Sequence, residues 1–295
     1  MAPDKVQIEL ERTGCFGTCP SYRVIIRGDG RVTYKGSGFV DVTGAHDYQI
    51  PQDDVSRLVE SLRIKDIWSL RSSYAAQVTD LPTYSVTVSM GDKRHQLADY
   101  AGESVGMPHT VSEYEDEVDR AARSSMWLHL SKEAVNHLEA EHFRFHSQEA
   151  AALLLRSVAD DDAHDDEAML RLIELGAPIS ATKRSNNAWL GVLHGPLIDE
   201  ALRNHRKVVV DALIAKGALK TNGKVDHKKL DAAFRAAIIG GRLDLVQEIW
   251  AAAGTRQHPA LTFTSVTDDD KPIRKTVPVT LLLTHSADQE GHGRD

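Results

Sequence analysis

Two closely spaced cysteines are the residues of this sequence best suited to chemistry. Cys15 and Cys19 are the only cysteines among 295 residues, and Pro20 directly follows the second. Their spacing allows a disulfide, because Gly17 lets the loop fold tightly enough to bring the two Cα atoms to about 4.4–6.8 Å. A ring this small stabilises a fold by roughly 2 kcal/mol and mainly stiffens its loop. We therefore favour a structural disulfide.

The same pair also permits redox or metal chemistry. A redox couple needs a thiol with a depressed pKa, usually at a helix N-terminus, whereas the residues after Pro20 are typical of a strand. Arg12 would supply some positive field, and Tyr22 lies close by in the sequence. Two thiolates alone leave a soft metal ion under-coordinated. A thiol-redox or metal-handling factor acting through Cys15 and Cys19 is thus the alternative function.

A group of histidines between 129 and 146 raises the question of a metal site. His142 and His146 are four residues apart, a spacing that places two imidazoles on one face of a helix. The His-Glu-x-x-His pattern of metalloproteases is absent, because Phe143 follows His142. Histidines in a charged helix are usually solvated, so these two are weak metal candidates. We find no nucleophile elbow and no phosphate-binding loop, and we predict no catalytic residue and no cofactor.

Charge and composition narrow the classes of partner. The formal net charge of −8 argues against a nucleic-acid-binding protein, which needs clustered Lys and Arg. No apolar run approaches the roughly twenty residues of a membrane helix, so we expect no membrane insertion. The N-terminus shows no signal peptide, which at face value indicates the cytoplasm, although a processed exported protein would look the same. The sequence leaves the compartment open.

The first 125 residues have the pattern of an α+β domain. Residues 6–10 alternate apolar and polar side chains, as a half-buried strand does. Two hairpins are predicted, one turning at residues 28–30 and the other at residues 91–92. Between them, residues 51–68 begin with proline and acidic side chains and continue with apolar residues at helical spacing. The prediction is a mostly antiparallel sheet with a helix packed on it.

The same half resembles a bacterial domain of unknown function that is marked by an Arg-Thr-x-Cys-Phe-Gly-x-Cys-Pro-x-Tyr run before a Gly-turned hairpin. The run stands here as RTGCFGTCPSY, and the later segments TDLPTY and ADYAG fit the same family. The resemblance covers about residues 5 to 120 and implies no activity. A cysteine pair in such a family favours the oxidising bacterial envelope or periplasm over the cytoplasm.

The second half is predicted to be helical. Residues 112–145 are rich in Ala, Glu and Arg and lack Pro and Gly, which predicts helix there, with 126–146 as a helix connecting two domains. Residues 147–285 contain a weak internal repeat of helix pairs, in which a tight turn separates a short helix from a longer one. The last residues, 286–295, are predicted to be a disordered tail.

These helix pairs resemble ankyrin repeats. That family's Pro-Leu opening, its alanine, its paired aliphatic residues and its Gly-Ala close are matched by Pro196-Leu197, Ala201, Val209-Val210, Leu213 and Gly217-Ala218. The resemblance implies an all-α solenoid whose concave surface binds another protein through its hairpins and inner helices. The candidate contact residues are Thr182, Lys183, Arg184, Asn186, Trp189, Asn222 and Lys224. Trp189 is the first candidate for a residue that dominates the binding energy, because Trp and Arg are the residue types most often found in that role.

The sequence as a whole predicts a non-enzymatic protein-protein interaction module. Its partner is another protein of unknown identity. An immunity or inhibitor protein, or an envelope accessory protein, is the specific version that analogy with bacterial ankyrin proteins suggests.

Overall fold

The computed structural model describes most of the chain, namely residues 6–160, 165–180, 196–239, 243–253, 260–266 and 272–278. The chain forms two compact units, Met1–Phe143 and Arg144–Asp295. Across the described ranges no helix combines the length and the apolar character needed to cross a bilayer.

The first unit is built on a seven-stranded sheet, which confirms the predicted α+β class. The strands are β1 (Val6–Arg12), β2 (Ser21–Arg27), β3 (Arg31–Gly38), β4 (Gly44–Gln49), β5 (Ser73–Ala75), β6 (Tyr84–Met90) and β7 (Lys93–Tyr100). They follow the order β4-β3-β2-β1-β6-β7-β5, and the pairs are antiparallel except for β5 with β7. Strand β1 therefore lies at the centre of the sheet, between β2 and β6.

Local sequence explains the central strands. The alternation along β1 buries Val6, Ile8 and Leu10. Both predicted hairpins are present, with Gly30 at φ 85° between β2 and β3 and Gly91 at φ 62° between β6 and β7. At Gly30 a side chain is also excluded by space, because a Cβ would lie 2.4 Å from the carbonyl oxygen of Ile50.

Two helices, α1 (Gln52–Ile64) and α2 (His109–Ala122), complete the layer beside the sheet. Helix α2 packs against β1 and β2, and α1 packs against α2. The predicted apolar face of α1 is buried at Val55, Leu58 and Leu62. Helix α2 carries both apolar and acidic residues on its inner side, which brings carboxylates to the central strands.

The continuous connecting helix predicted over 126–146 is wrong. The segment contains two shorter helices, α3 (Ser125–Leu128) and α4 (Lys132–Ala140). The chain is interrupted because the amide of Leu130 donates to the carboxylate of Asp41 at 2.7 Å. Ser131 then begins α4 as its N-cap, with its hydroxyl accepting from the amide of Ala134 at 3.1 Å.

The first compact unit extends past residue 125 because of Trp127. Its side chain is fully buried, and its ring stacks on His46 with 4.6 Å and on Tyr34 with 5.6 Å between centroids. The backbone of the same segment is tied to the loop before β4, since the amide of Val42 donates to the carbonyl of Trp127. These contacts make 126–143 part of the first unit's core.

The second unit is helical, as predicted. Its helices are α5 (Gln148–Ala159), α6 (Asp166–Glu174), α7 (Leu197–Arg203), α8 (Lys207–Ala215), α9 (His227–Ile239) and α10 (Leu243–Ala253). Successive helices pack in pairs, α5 with α6, α7 with α8 and α9 with α10. The first helices of the pairs also contact one another, α5 with α7 and α7 with α9, and the second helices do the same, α6 with α8 and α8 with α10. The paired apolar residues of α8, Val209 and Val210, are fully buried between these rows.

Two hairpins accompany the helices. Strands β8 (Lys220–Thr221) and β9 (Lys224–Val225) form a short hairpin between α8 and α9. Strands β10 (Ala260–Val266) and β11 (Pro272–Pro278) form a longer one. The all-α prediction for 147–285 is wrong at residues 260–266 and 272–278, because these two segments pair as antiparallel strands.

Candidate functional site

The cysteine loop joins β1 to β2 in the first unit. Cys15 and Cys19 are disulfide-bonded, with 5.5 Å between their Cα atoms. The bond closes a ring of five residues that begins shortly after β1 and ends just before β2. Phe16 is one of these five residues, and its side chain is 76% exposed. The disulfide thus holds a large apolar side chain out into solvent.

A second loop, residues 76–83, is hydrogen-bonded to the cysteine loop. The amide of Thr13 donates to the carbonyl of Thr83 at 3.0 Å, and the amide of Thr83 donates to the Thr13 hydroxyl at 2.9 Å. Further along, the amide of Phe16 donates to the carbonyl of Asp80 at 3.3 Å. These hydrogen bonds join the two loops into one continuous surface at the end of the sheet.

The second loop contributes exposed apolar side chains of its own. Val78 and Leu81 are both about half exposed. The hydroxyl of Tyr100 fixes their backbone by donating to the carbonyl of Val78 at 3.0 Å and accepting from the amide of Leu81 at 3.4 Å. This surface, formed by the cysteine loop and residues 76–83, offers apolar contacts on a backbone held in place.

Arg12, the last residue of β1, is held beneath the cysteine loop. Its Nε donates to Oδ2 of Asp119 at 2.8 Å, and its Nη2 lies 3.3 Å from Oδ1 of Asp116. Its guanidinium lies over the ring of Tyr84, 4.2 Å from the centroid. The hydroxyl of Tyr22 donates to the same Oδ2 of Asp119 at 2.8 Å. Asp119, on α2, is therefore the common partner of both residues that the sequence offered as helpers of a redox pair.

Burial and the charge of Asp119 together set the pKa values of Arg12 and Tyr22. Burial alone would lower the pKa of Arg12, but the carboxylate of Asp119 more than offsets it, and the pKa is raised. Burial and then the same carboxylate raise the pKa of Tyr22 well above its usual value. Arg12 stays charged and Tyr22 stays neutral, so the group is a fixed ionic clamp between β1, β2 and α2.

Glu115 lies one turn before Asp119 on α2 and is a buried carboxyl group. Its side chain is 2% exposed, and its Oε1 has no hydrogen-bond partner within the described residues. Burial first, and then the negative charge of Asp99, raise the pKa of Glu115 to about 8. The group is therefore protonated at neutral pH, which is the form that burial beside another carboxylate favours.

A groove runs between α1 and α2 on the first unit. Its volume is about 710 Å³. Leu58, Ile64 and Ala121 supply apolar lining, and Arg57 and Arg120 are among the charged residues at its edges. Ile64 is one of the exposed large apolar residues of this unit. The groove provides an apolar strip with charged borders.

The hairpin between α8 and α9 carries the two predicted contact residues that the structure describes. Asn222 and Gly223 form its two-residue turn, with φ values of 52° and 76°. Lys224 pairs with Thr221 across the turn. Asn222 and Lys224 are both exposed, as a contact role requires.

A cluster of lysines that was not predicted from the sequence surrounds this hairpin, and we call it the lysine hairpin: Lys216, Lys220, Lys224, Lys228 and Lys229. The signal was five lysines against one aspartate between 216 and 229, in a chain of net charge −8. Basic residues interleaved with aromatic ones are typical of single-strand nucleic-acid-binding segments, and residues 216–229 contain no Phe, Tyr or Trp. The lysine hairpin is the distinctive charge feature of the described second unit.

The remaining candidates lie elsewhere. Thr182, Lys183, Arg184, Asn186 and Trp189 fall outside the described residues, and their contact role stays a prediction. The premise that His142 and His146 share one helical face is wrong, because α4 ends at Ala140 and His142 adopts a positive φ of 57°. His146 belongs to the second unit, where its Nδ1 lies 3.2 Å from the carbonyl oxygen of Gly176. In the described part of the chain, no group of three or more His, Cys, Asp or Glu side chains could hold a metal ion.

Comparison with known proteins adds one finding for the first unit. Residues 6–122 match a family model described as a domain of unknown function, DUF6438. The matched range includes the cysteine loop, the Arg12–Asp119 clamp and both helices α1 and α2. The predicted N-terminal domain of unknown function is confirmed at this level. No curated protein matches the chain.

Proposed function

We propose that this chain is a non-enzymatic protein-interaction module whose second unit is a short array of ankyrin-like helix pairs. The observation that carries the proposal is the packing of the helices in two rows, α5-α7-α9 and α6-α8-α10. Such packing is what a stack of repeated helix pairs produces, since each pair contacts only its neighbours. The Gly-Ala close at Gly217-Ala218 supports the ankyrin version, because Gly217 ends α8 at φ 86° and the β8–β9 hairpin follows.

The binding surface in this proposal includes the β8–β9 hairpin. Asn222 and Lys224 are exposed at its tip, where they are free to meet a partner without any change in the helices. The turn itself is well defined, because Asp226 accepts from the Thr221 hydroxyl at 2.8 Å and from the amide of Lys228 at 3.0 Å. A preformed hairpin loses little conformational freedom on binding, which favours affinity.

The first unit supplies a second surface in the same proposal, and this one is apolar. The cysteine loop presents Phe16 on a backbone fixed by the Cys15–Cys19 disulfide and by the bonds to residues 76–83. An immunity or inhibitor protein, or an envelope accessory protein that escorts another bacterial protein, is the biological role we propose for such a two-unit module. The disulfide fits an oxidising compartment such as the periplasm.

Affinity capture from the native host tests the module. The intact protein is compared with the double variant Asn222→Ala, Lys224→Ala. The control is Asp92→Ala, Lys93→Ala, which changes one residue of the two-residue β6–β7 turn and the first residue of the strand after it in the first unit. We expect one near-stoichiometric partner with the intact protein and the control, and at least a tenfold loss with the hairpin variant. Equal capture by all three, or no specific partner for any of them, would contradict the proposal.

A thiol-redox function has weaker support. Arg12 is held by Asp119, and Ser21 begins a strand shortly after Cys19, so neither a free cation nor a helix N-terminus activates the sulfur. The reduction potential separates the two functions. A structural bond is expected below about −300 mV, whereas values of roughly −120 to −270 mV are those of redox proteins and would favour the alternative.

A further inference from the structure

The lysine hairpin is a concentrated positive charge, and four of its five lysines have no carboxylate partner within the described structure. Lys216, Lys220, Lys224 and Lys228 are all exposed. Within the described residues none of these four ammonium groups forms an ion pair with a carboxylate. The rest of the chain is strongly acidic, with a formal net charge of −8 despite these lysines. A local excess of one sign against the overall charge is the pattern of a surface that selects a partner by electrostatics.

Hydrogen bonds to backbone carbonyls hold the lysines together on one short segment. Lys216 follows α8, and the amide of Lys220 donates to the carbonyl of Gly217 at 2.9 Å. The ammonium group of Lys229 donates to the carbonyl of Lys220 at 2.9 Å, which brings the first turn of α9 against strand β8. The five lysines therefore lie on one hydrogen-bonded segment made of the end of α8, the hairpin and the start of α9.

The one acidic residue of the segment, Asp226, forms hydrogen bonds within the segment. The carboxylate of Asp226 accepts from the Thr221 hydroxyl and from the amides of Lys228 and Lys229 at the start of α9. The hydrogen bond from Thr221 is the main cause that lowers the pKa of Asp226. Asp226 therefore fixes the hairpin on α9, and its charge acts on Lys229, but it forms no ion pair with the other four lysines.

We propose that the lysine hairpin binds an acidic polypeptide segment of the partner protein, an inference that rests on the interaction function proposed above and names the chemistry of its partner. Lysines are point charges on flexible stems, and they suit a run of carboxylates whose positions vary. Several exposed Lys-carboxylate contacts, each worth about 0.2–1 kcal/mol, together give useful selectivity and fast association.

The size of the cluster favours a polypeptide over a nucleic acid. A nucleic acid presents closely spaced phosphates along its whole length, and specific or single-strand binding usually adds arginine forks or stacking aromatic rings. Residues 216–229 contain neither arginine nor any aromatic ring of Phe, Tyr or Trp. A long nucleic acid would also extend beyond this short segment and meet the negative charge of the rest of the chain. An acidic peptide segment can instead be as short as the lysine hairpin itself.

Binding of a labelled oligoglutamate peptide tests the inference on the full chain. The test variant is Lys220→Gln, Lys224→Gln, Lys228→Gln, which leaves Lys229 in place because of its bond to Lys220. The control variant, Lys35→Gln, Lys93→Gln, Arg94→Gln, removes the same charge from exposed strand positions of the first unit. Circular dichroism establishes that both variants stay folded. An oligothymidylate with the same number of charges is the competing probe.

We expect the intact protein and the control to bind oligoglutamate equally, and the hairpin variant to bind about tenfold more weakly. Added salt should weaken the interaction, since exposed charges are screened. Equal weakening in both variants would overturn the inference, because total charge alone would then explain binding. Tighter binding of oligothymidylate than of oligoglutamate would overturn it in favour of a nucleic acid. Oligoglutamate binding could be unchanged in the hairpin variant while capture of the host partner still requires Asn222 and Lys224. That result would overturn the proposed acidic partner segment and leave the proposed interaction function standing.

Discussion

Arg12 donates from Nε to Oδ2 of Asp119 at 2.8 Å and thereby joins the central strand β1 to helix α2, 107 residues later in the chain. Removing one member of a shielded ion pair leaves the other charge without compensation. We expect Asp119→Ala to lower the free energy of unfolding by about 2–3 kcal/mol, because Tyr22 loses its acceptor and Arg12 keeps only the exposed carboxylate of Asp116. Urea unfolding of the intact protein and the variant measures this.

The matched control is Asp116→Ala. Asp116 also faces Arg12, but its carboxylate is 65% exposed and lies 3.3 Å away, while that of Asp119 is 19% exposed. Such exposed pairs contribute about 0–1 kcal/mol. If both variants lose the same stability, the clamp does not depend on Asp119 and the interpretation of the site is incorrect.

The disulfide is expected to stiffen a surface and to add modest stability. Cys15→Ser, Cys19→Ser should lower the free energy of unfolding by roughly 2 kcal/mol, the value for so small a ring. Amide hydrogen exchange should rise around Phe16 and in the tied loop near Asp80, whereas the central strands should change little. A loss above about 5 kcal/mol, or unchanged exchange in both loops, would be inconsistent with a local stiffening role.

Glu115 predicts a pH dependence of stability with a definite sign. Its pKa is about 8 in the folded protein, while a glutamate in an unfolded chain titrates near pH 4.3. Between these values the folded state holds a proton that the unfolded state has released, so stability falls as pH rises through that window. The slope is at most about 1.4 kcal/mol per pH unit, and below pH 4.3 the effect vanishes.

Replacing Glu115 by Gln should remove this slope and make the variant more stable than the intact protein near pH 9. Unfolding in urea at about pH 5, 7 and 9 measures it. Glu113→Gln on the same helix is the control, since Glu113 is exposed and its hydrogen bond to Lys65 lowers its pKa. A Glu115→Gln variant with the original pH slope would show that another group titrates.

The extent of the first unit gives a further prediction. A fragment ending at residue 125 lacks Trp127, whose ring covers His46 and Tyr34. Losing a buried tryptophan costs about 3–5 kcal/mol, a large part of the stability of a domain this size. We expect residues 1–143 to unfold cooperatively and residues 1–125 to be far less stable, as circular dichroism with urea would show. Equal stability of the two fragments would contradict the assignment.

Much of the first unit follows from local sequence signals. The alternation of residues 6–10 and the glycine turns at residues 28–30 and 91–92 identify the central hairpins without any structure. The break at Leu130 does not follow, because it depends on the carboxylate of Asp41, 89 residues earlier. Helix propensity measures local preference, and a tertiary hydrogen bond overrides it here.

The candidate sites show the same division. Residue spacing alone identified the Cys15–Cys19 pair, because a small ring is a local property. The Arg12–Asp119 clamp could not be found in this way, since its partners meet only once β1 lies against α2. The lysine hairpin lies between these cases. Its composition was visible, but Asp226 had to be seen capping α9 before four of the lysines could be recognised as lacking a carboxylate partner within the described structure.

The central claim is that the β8–β9 side of the second unit binds a partner protein, and site-specific photo-crosslinking in the native host tests it most directly. A benzophenone amino acid replaces Asn222 in one sample and Asp92 in another, both exposed positions in two-residue hairpin turns. The account predicts a single abundant adduct from position 222 and none of that mass from position 92. Adducts of the same pattern from both positions, or a specific adduct from position 92 alone, would contradict it.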